Sequence, residues 1–192
     1  MTVSDRERRQ WFLSLMALPL LIAAVFALHS WRNAQEYAAR TEFRVRPNDA
    51  DQPYAGAQWK LSSTRLIGDG KDTTMTLPGG MRLVIVRLAA RPTQAIGDDW
   101  LQCSLTLTDD AGRRWRPLDF ILSRDISRDL EPDKQPIEGC NTASAHPPGK
   151  GRDVVIEEKF LVPEAALNSL KAQLSFRPSR PEALSFPLTF DR

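Results

Sequence analysis

An uninterrupted apolar segment near the start of the chain is the strongest pattern in the sequence. Residues 11–28 contain no charged side chain, and as a helix rising about 1.5 Å per residue they would extend about 27 Å. The hydrocarbon core of a membrane is roughly 30 Å thick. Trp11 and Trp31 stand at the two ends, where indole rings favour the membrane interfaces. The pattern predicts one membrane-spanning helix over residues 11–30, with a kink at Pro19.

A cleaved signal peptide is the alternative interpretation of this segment. Three arginines in the preceding ten residues would form the basic N-terminal region of a signal peptide, and residues 25–27 are an acceptable cleavage site. However, the apolar segment is long for such a peptide. Trp31, Ala34 and Ala38 also continue a helical spacing beyond it. We therefore expect an uncleaved anchor.

The number of arginines alone does not determine the orientation of the anchor, because three precede it and three follow within fifteen residues of Ser30. Arg8 and Arg9 lie directly beside the membrane edge, which favours a cytoplasmic tail over residues 1–10. Two later cysteines and a β-type composition favour export. We expect the bulk of the chain outside the cytoplasm, in the periplasm if the cell is Gram-negative.

Beyond the anchor, the sequence changes from helical to strand-like periodicity. Residues 31–56 are interpreted as a helical stalk and a linker, and residues 57–192 as one folded domain. In the clearest strand, four apolar residues alternate with polar ones between Leu101 and Thr108. The seven predicted strands cover residues 58–67, 81–88, 100–108, 113–116, 154–162, 171–176 and 183–190. Pro187 should place the last strand at a sheet edge.

About seven strands with almost no helix predict an antiparallel immunoglobulin-like β-sandwich. Trp59, Trp100 and Trp115 are expected in its core or at the rim of the core. Residues 118–151 depart from this pattern, because they contain four prolines and six acidic residues. We interpret them as a long connection with at most a short strand at residues 120–122.

Cys103 and Cys140 are the two cysteines of the chain. Alternation places Cys103 on the inward face of its strand, and Cys140 lies in the long connection. Outside the cytoplasm two such residues normally pair. A closed loop of about 38 residues would stabilise the domain by roughly 4 kcal/mol. The alternative is two unpaired thiols, one of them buried.

The order Cys103, Trp115, Cys140 matches the Cys, Trp, Cys order of immunoglobulin domains, but two features depart from that pattern. The tight turn at residues 109–112 should make the first two segments neighbours in one sheet, whereas the immunoglobulin pattern places them in opposite sheets. Glu138 also stands where that pattern has a tyrosine, two residues before the second cysteine.

A different family resemblance rests on two short motifs, residues 107–115 (LTDDAGRRW) and 160–163 (FLVP). They resemble the strand, Asp-x-x-Gly, aromatic and Phe-x-Val-Pro layout of telokin-like, immunoglobulin-type domains. Such domains occur in bacterial lipoproteins and membrane-anchored exported proteins. The resemblance covers about residues 59–176. It implies a binding or interaction module rather than an enzyme.

Composition and motifs exclude several function classes. The formal charge of +2 gives no reason to expect a nucleic-acid binder, and two cysteines are too few for a four-cysteine zinc site. The sequence contains no nucleophile elbow and no phosphate-binding loop, and its two histidines are His29 and His146. Arg113, Arg114 and Arg116 fit a solvated strand face or, alternatively, an anionic partner. We expect no catalytic residues, no cofactor and no metal.

The sequence therefore predicts a membrane-anchored extracytoplasmic interaction module, an accessory or scaffolding subunit that contacts another envelope protein. A solute- or metal-ion-binding domain is the alternative. We expect the partner surface in the long connection, because ordering such a loop costs roughly 1–2 kcal/mol per residue. The other possibility is a mobile insertion without a partner. The candidate surface residues are Arg124, Asp125, Arg128, Asp129, Glu131, Asp133 and Lys134.

Overall fold

The structure is a computed structural model that describes residues 5–42, 44–48, 53–68 and 77–190. Residues 1–4 of the predicted tail and 49–52 of the predicted linker lie outside the described residues. The chain divides into two compact units, Met1–Thr41 and Glu42–Arg192.

The first unit is one helix, α1, which spans Asp5–Arg40 and contains Pro19. It is the one helix in the described ranges that is long and apolar enough to cross a membrane, with a mean hydropathy of 2.4 in its most apolar window. The predicted anchor and stalk are therefore one continuous helix. At its end, Arg40 pairs with Glu36, and the Thr41 hydroxyl donates a hydrogen bond to the Tyr37 carbonyl at 2.6 Å.

The second unit contains eight described strands in two sheets, one more than the sequence predicted. The strands are β1 Arg44–Pro47, β2 Ala57–Ile67, β3 Met81–Pro92, β4 Ser104–Thr108, β5 Arg114–Trp115, β6 Val154–Pro163, β7 Lys171–Ser175 and β8 Glu182–Pro187. Their order is β1-β8-β7-β4-β5 in one sheet and β2-β3-β6 in the other. All pairings are antiparallel except that of β1 with β8. The range predicted as a linker thus contains an ordered strand.

Both sheets contribute to one apolar core. The indole rings of Trp59 and Trp100 lie 5.0 Å apart between centroids, and the ring of Phe176 stacks on Trp100 at 5.6 Å. The indole N–H of Trp100 donates to the Ala55 carbonyl at 2.8 Å, which satisfies its buried donor. Trp115 packs against this core while remaining partly exposed, so the predicted positions of the three tryptophans are confirmed.

The interpretation of residues 118–151 as a long connection is wrong. They form two helices, α2 over Phe120–Leu130 and α3 over Cys140–Ala145. Leu122, Ile126 and Leu130 repeat every four residues, which is a helical spacing. The Asp119 side chain caps α2 by accepting the Leu122 N–H at 3.0 Å.

Helix α2 covers the outer face of the three-stranded sheet. Ile126 is 2% exposed and packs with Ile67, Leu83 and Ile85 in a second apolar cluster. Residues 83–86 of β3 are all buried, because alternate side chains face the core and this cluster. The apolar run that predicted β3 therefore reflects burial on two faces.

The prediction that Pro187 marks an edge strand is also wrong, because β8 lies between β1 and β7. The pairing of β1 with β8 ends at Ser185, and Pro187 follows that last paired residue. Its missing N–H therefore costs no hydrogen bond to β1.

Candidate partner-binding cleft

The 118–151 segment closes the free edge of β6. The Leu118 N–H donates to the Lys159 carbonyl at 2.8 Å, and the Glu157 N–H donates to the Glu138 carbonyl at 3.0 Å. Edge strands with unpaired backbone groups promote unwanted pairing between chains. This segment therefore satisfies backbone groups of β6 while it also covers the outer face of the sheet.

The two cysteines attach the same segment to the other sheet. Cys103 directly precedes β4, and Cys140 is the first residue of α3. Their Cα atoms are 5.4 Å apart and their sulfur atoms lie at disulfide distance, as predicted. Strands β4 and β5 pair as neighbours, with Leu107 opposite Trp115, which confirms the expected departure from the immunoglobulin cysteine pattern.

A buried ion pair lies beneath α2. The Lys159 ammonium, on a side chain 2% exposed, donates to the Glu157 carboxylate at 2.5 Å and to the Ser127 hydroxyl of α2 at 2.8 Å. Arg87 of β3 donates to the second oxygen of Glu157 at 2.6 Å. Buried charges are tolerated when they are paired and hydrogen-bonded in this way. The network fixes α2 on the sheet.

Glu131, at the end of α2, holds a second ionic cluster. Its carboxylate lies 3.2 Å from the ammonium of Lys134, 3.5 Å from the guanidinium of Arg65 and 3.9 Å from that of Arg87. The hydrogen bond from Lys134, supported by the charges of all three cations, lowers the pKa of Glu131 against the opposing effect of desolvation. Two of the predicted surface residues, Glu131 and Lys134, therefore act within the domain.

The other predicted surface residues are exposed on α2 or after it. Arg128 and Asp125 lie 4.0 Å apart as an ion pair along the helix, and Asp129 is exposed on the same helix. Asp133 is exposed in the loop that follows. Of the seven, only Arg124 lines the large cleft beside α2.

This cleft, with a volume of about 630 Å³, separates the beginning of α2 from α3. One wall consists of residues 116–120, 123, 124 and 127, and the other of residues 136–139, 141 and 142. Glu158 of β6 is the one lining residue that is buried. The remaining lining residues are half-buried or exposed. The cleft is therefore an open concave surface with one buried carboxyl.

Glu158 is 9% exposed, and its Oε1 accepts the Cys140 N–H at 2.7 Å. Desolvation raises the pKa of Glu158 despite this hydrogen bond and the nearby charge of Lys159, and the charge of Glu157 adds to the increase. A Cβ atom at Gly139 would lie 2.8 Å from the same oxygen, so a larger residue at position 139 would displace the Glu158 carboxyl from its present position.

A patch of three consecutive apolar side chains adjoins the cleft at the beginning of α2. Phe120 and Ile121 are 70% and 71% exposed, and Leu122 is 38% exposed. We call these residues the apolar patch. Phe120 also lines the cleft, so the patch and the cleft form one continuous surface. Adjacent exposed apolar groups of this kind are typical of interaction sites.

Glu158 and Phe120 were absent from the sequence-based site, although one signal for Glu158 was present. Every second side chain of β6 faces inward, and a carboxyl group interrupts this otherwise apolar face. The inward-facing residues are Ile156, Glu158, Phe160 and Val162. The described residues contain no group of three or more His, Cys, Asp or Glu side chains that could hold a metal ion.

Asp109 is a turn residue, as expected. Its carboxylate accepts the Arg113 backbone N–H at 2.8 Å and the Arg113 side-chain Nε–H at 2.7 Å. Desolvation opposes ionisation, but these hydrogen bonds and the Arg113 charge lower the pKa of Asp109. The carboxylate therefore stabilises the turn between β4 and β5.

Comparison with known proteins identifies no family. The sequence matches no protein-family model, and no match is found among curated proteins. Among solved structures, the chain is similar to a conserved hypothetical protein from Bacillus anthracis, with a TM-score of 0.42 and 8% identity. The similarity covers 71% of this chain and 92% of that chain.

Proposed function

We propose that this chain is a membrane-anchored interaction module, an accessory or scaffolding subunit of an envelope assembly rather than an enzyme. Another envelope protein would bind at the cleft and the apolar patch. The observation that carries this proposal is the exposure of Phe120 and Ile121, at 70% and 71%, beside a concave surface. Apolar groups in contact with water cost free energy that a partner would recover by covering them.

The proposal includes an extracytoplasmic location for the second unit. It is supported by the disulfide distance between Cys103 and Cys140, because disulfides persist in oxidising compartments and are rare in the cytosol. Cells lysed in a thiol-blocking reagent should yield protein in which neither cysteine is labelled. Labelling of both cysteines in natively located protein would contradict this orientation.

We also propose that the two sheets form an immunoglobulin-like sandwich related to telokin-like domains. The support is the position of the motif residues: Asp109 and Gly112 lie in the turn between β4 and β5, and residues 160–163 end β6. An experimental structure of the second unit would test this relation by the correspondence of strand order.

Site-specific photo-crosslinking in cells tests the proposed binding surface. We would replace Ile121 with a photoreactive phenylalanine analogue in the full chain. The matched control would replace Val45, which is 47% exposed on β1 at the opposite edge of its sheet from β5. We expect a discrete protein adduct from position 121 and none from position 45. Equal adducts from both positions, or none from position 121, would contradict the proposal.

A solute-binding domain is the second candidate, and the volume of the cleft favours it. About 630 Å³ lies within the range of roughly 300–1,000 Å³ that is typical of small-molecule sites. A thermal-shift screen of the detergent-solubilised chain against small solutes separates the two candidates. A solute that stabilises the wild-type chain but leaves a Phe120→Ser variant unaffected would favour solute binding at this cleft.

A further inference from the structure

We infer that the cleft selects a partner segment that presents a Lys or Arg side chain to Glu158 and an apolar side chain to Phe120. This inference rests on the proposed function and adds the chemistry of the partner to it. Glu158 is then the specificity-determining residue of the site, and the apolar patch supplies contact area.

The charges of β6 explain why the cation must come from a partner. Glu157 and Lys159 extend from the same face of the strand and pair with each other at 2.5 Å, and Lys159 is further engaged by Ser127. Glu158 extends from the opposite face, and within the described part of the chain it makes no ion pair at 4.0 Å or less. The three consecutive charges of β6 therefore leave one buried carboxyl without a counter-ion in contact.

One oxygen of this carboxyl remains available to a ligand. Oε1 accepts the Cys140 N–H at 2.7 Å, and within the described residues Oε2 has no hydrogen-bond donor. Because Glu158 also lines the cleft, a donor that enters the cleft can approach this carboxyl. A carboxylate in a partly desolvated site binds a cationic donor more strongly than it does in water.

The surroundings of Glu158 suit a side chain that is part apolar and part cationic. Half-buried Leu118 and Ile137 and exposed Phe120 line the cleft, so the methylene groups of a Lys or Arg side chain would contact apolar surface. The patch extends past the cleft to Ile121, which a small solute in the cleft would leave uncovered. A polypeptide segment accounts for both parts of the surface.

A membrane surface explains these observations less well. The charged side chains that line the cleft are three carboxyl groups and two guanidinium groups, so the cleft as a whole would repel an anionic lipid headgroup. The carboxyl groups belong to Asp119, Glu138 and Glu158, and the guanidinium groups to Arg116 and Arg124. A concave site is also a poor match to a flat bilayer. If photo-crosslinking at position 121 yields only lipid adducts, the patch faces the membrane and the inference is wrong.

Two fluorescent hexapeptide mixtures test the inference on the full chain in uncharged detergent micelles. Both contain Ala, Leu, Phe and Ser at five variable positions, and the third position is Lys in one mixture and Gln in the other. We expect fluorescence anisotropy to show about tenfold tighter binding of the Lys mixture, as for a hydrogen bond to a charged group. This comparison needs no variant of the protein.

Glu158→Gln should remove the preference between the mixtures, because a carboxamide oxygen can still accept the Cys140 N–H while the charge is lost. Glu182→Gln is the matched control, since Glu182 is exposed on β8 and does not line the cleft. Equal binding of both mixtures to the wild-type chain, or a preference that survives in Glu158→Gln, would overturn the inference. If neither mixture binds while crosslinking at position 121 yields a protein adduct, the basic-segment inference fails and the proposed function stands.

Discussion

Glu158 shows how a single residue can serve the fold and a proposed binding site together. Its carboxyl satisfies the Cys140 N–H at the beginning of α3, which the short helix could not do alone. Glu158 is 9% exposed on the wall of an open cleft, where ionisation is opposed by desolvation. The carboxyl stabilises α3 through one oxygen, and its other oxygen has no hydrogen-bond donor within the described residues.

The raised pKa of Glu158 predicts a pH-dependent effect on stability. Below the pKa of an unfolded-state glutamate, about 4.3, the side chain is protonated in both states and adds no penalty. As the pH rises, the unfolded state ionises first, so the folded state loses relative stability until the pH exceeds the raised folded pKa. Glu158→Gln removes this penalty.

We therefore expect Glu158→Gln to have a higher melting temperature than the wild-type chain, with a difference that grows above about pH 4.3 and then becomes constant. Thermal denaturation followed by circular dichroism over pH 4–8 checks this. Glu182→Gln is the control for the loss of one exposed carboxyl group on β8. A difference that shrinks as the pH rises would contradict the assignment of a raised pKa.

At the scale of elements, α2 presents two different faces to two environments. Ile126 is buried against β3 at 2% exposure, while Ile121 is 71% exposed in the apolar patch. Both are isoleucines on the same 11-residue helix, so they form a natural comparison between an internal contact and an external surface. The helix is held to the sheet by its buried face and by the hydrogen bond between Ser127 and Lys159.

Ile126→Ala should lower the free energy of unfolding by about 2–4 kcal/mol, because it removes buried methyl groups and leaves a cavity. Ile121→Ala is the matched control, and it should change stability by less than about 0.5 kcal/mol because its side chain is already in water. Urea denaturation of both variants checks the pair. Equal destabilisation by the two changes would mean that α2 packs differently.

The sequence predicted most strands because their alternation reflects burial on one face, as in the Leu105 and Leu107 positions of β4. Alternation failed at Leu101, which is 46% exposed because the chain turns at Gln102, where φ is +49°. It also failed to reveal α2, where the helical spacing of Leu122, Ile126 and Leu130 is obscured by the two exposed apolar residues that precede it. Periodicity reports burial, and it cannot separate an apolar residue that packs inside from one that is exposed at the surface.

The surface predicted from the sequence and the cleft lie in the same segment but share few side chains. The sequence emphasised charged residues, yet Glu131 and Lys134 form internal ion pairs and only Arg124 lines the cleft. Glu158 lies on β6, outside residues 118–151. Its side chain reaches the cleft because the fold brings β6 next to α3, where the Glu158 carboxyl accepts the Cys140 N–H. Tertiary contacts of this kind leave little trace in local sequence.

For the whole molecule, the long apolar helix and the folded unit follow each other closely along the chain. Helix α1 ends at Arg40, and Glu42 is already held in the second unit by hydrogen bonds from Gln173 at 2.9 Å and from Ser175. Arg114 pairs with the same carboxylate.

Co-purification of the native partner with surface variants tests whether the partner binds at α2 and its cleft. The full chain would be captured from detergent-solubilised native membranes as the wild type, as Ile121→Asp and as the exposed apolar control Val45→Asp. We expect a partner protein that co-purifies with the wild type and with Val45→Asp and is lost from Ile121→Asp, with all three chains folded to the same melting temperature within a few degrees. A partner retained by folded Ile121→Asp would contradict the assignment of the interface to α2 and its cleft.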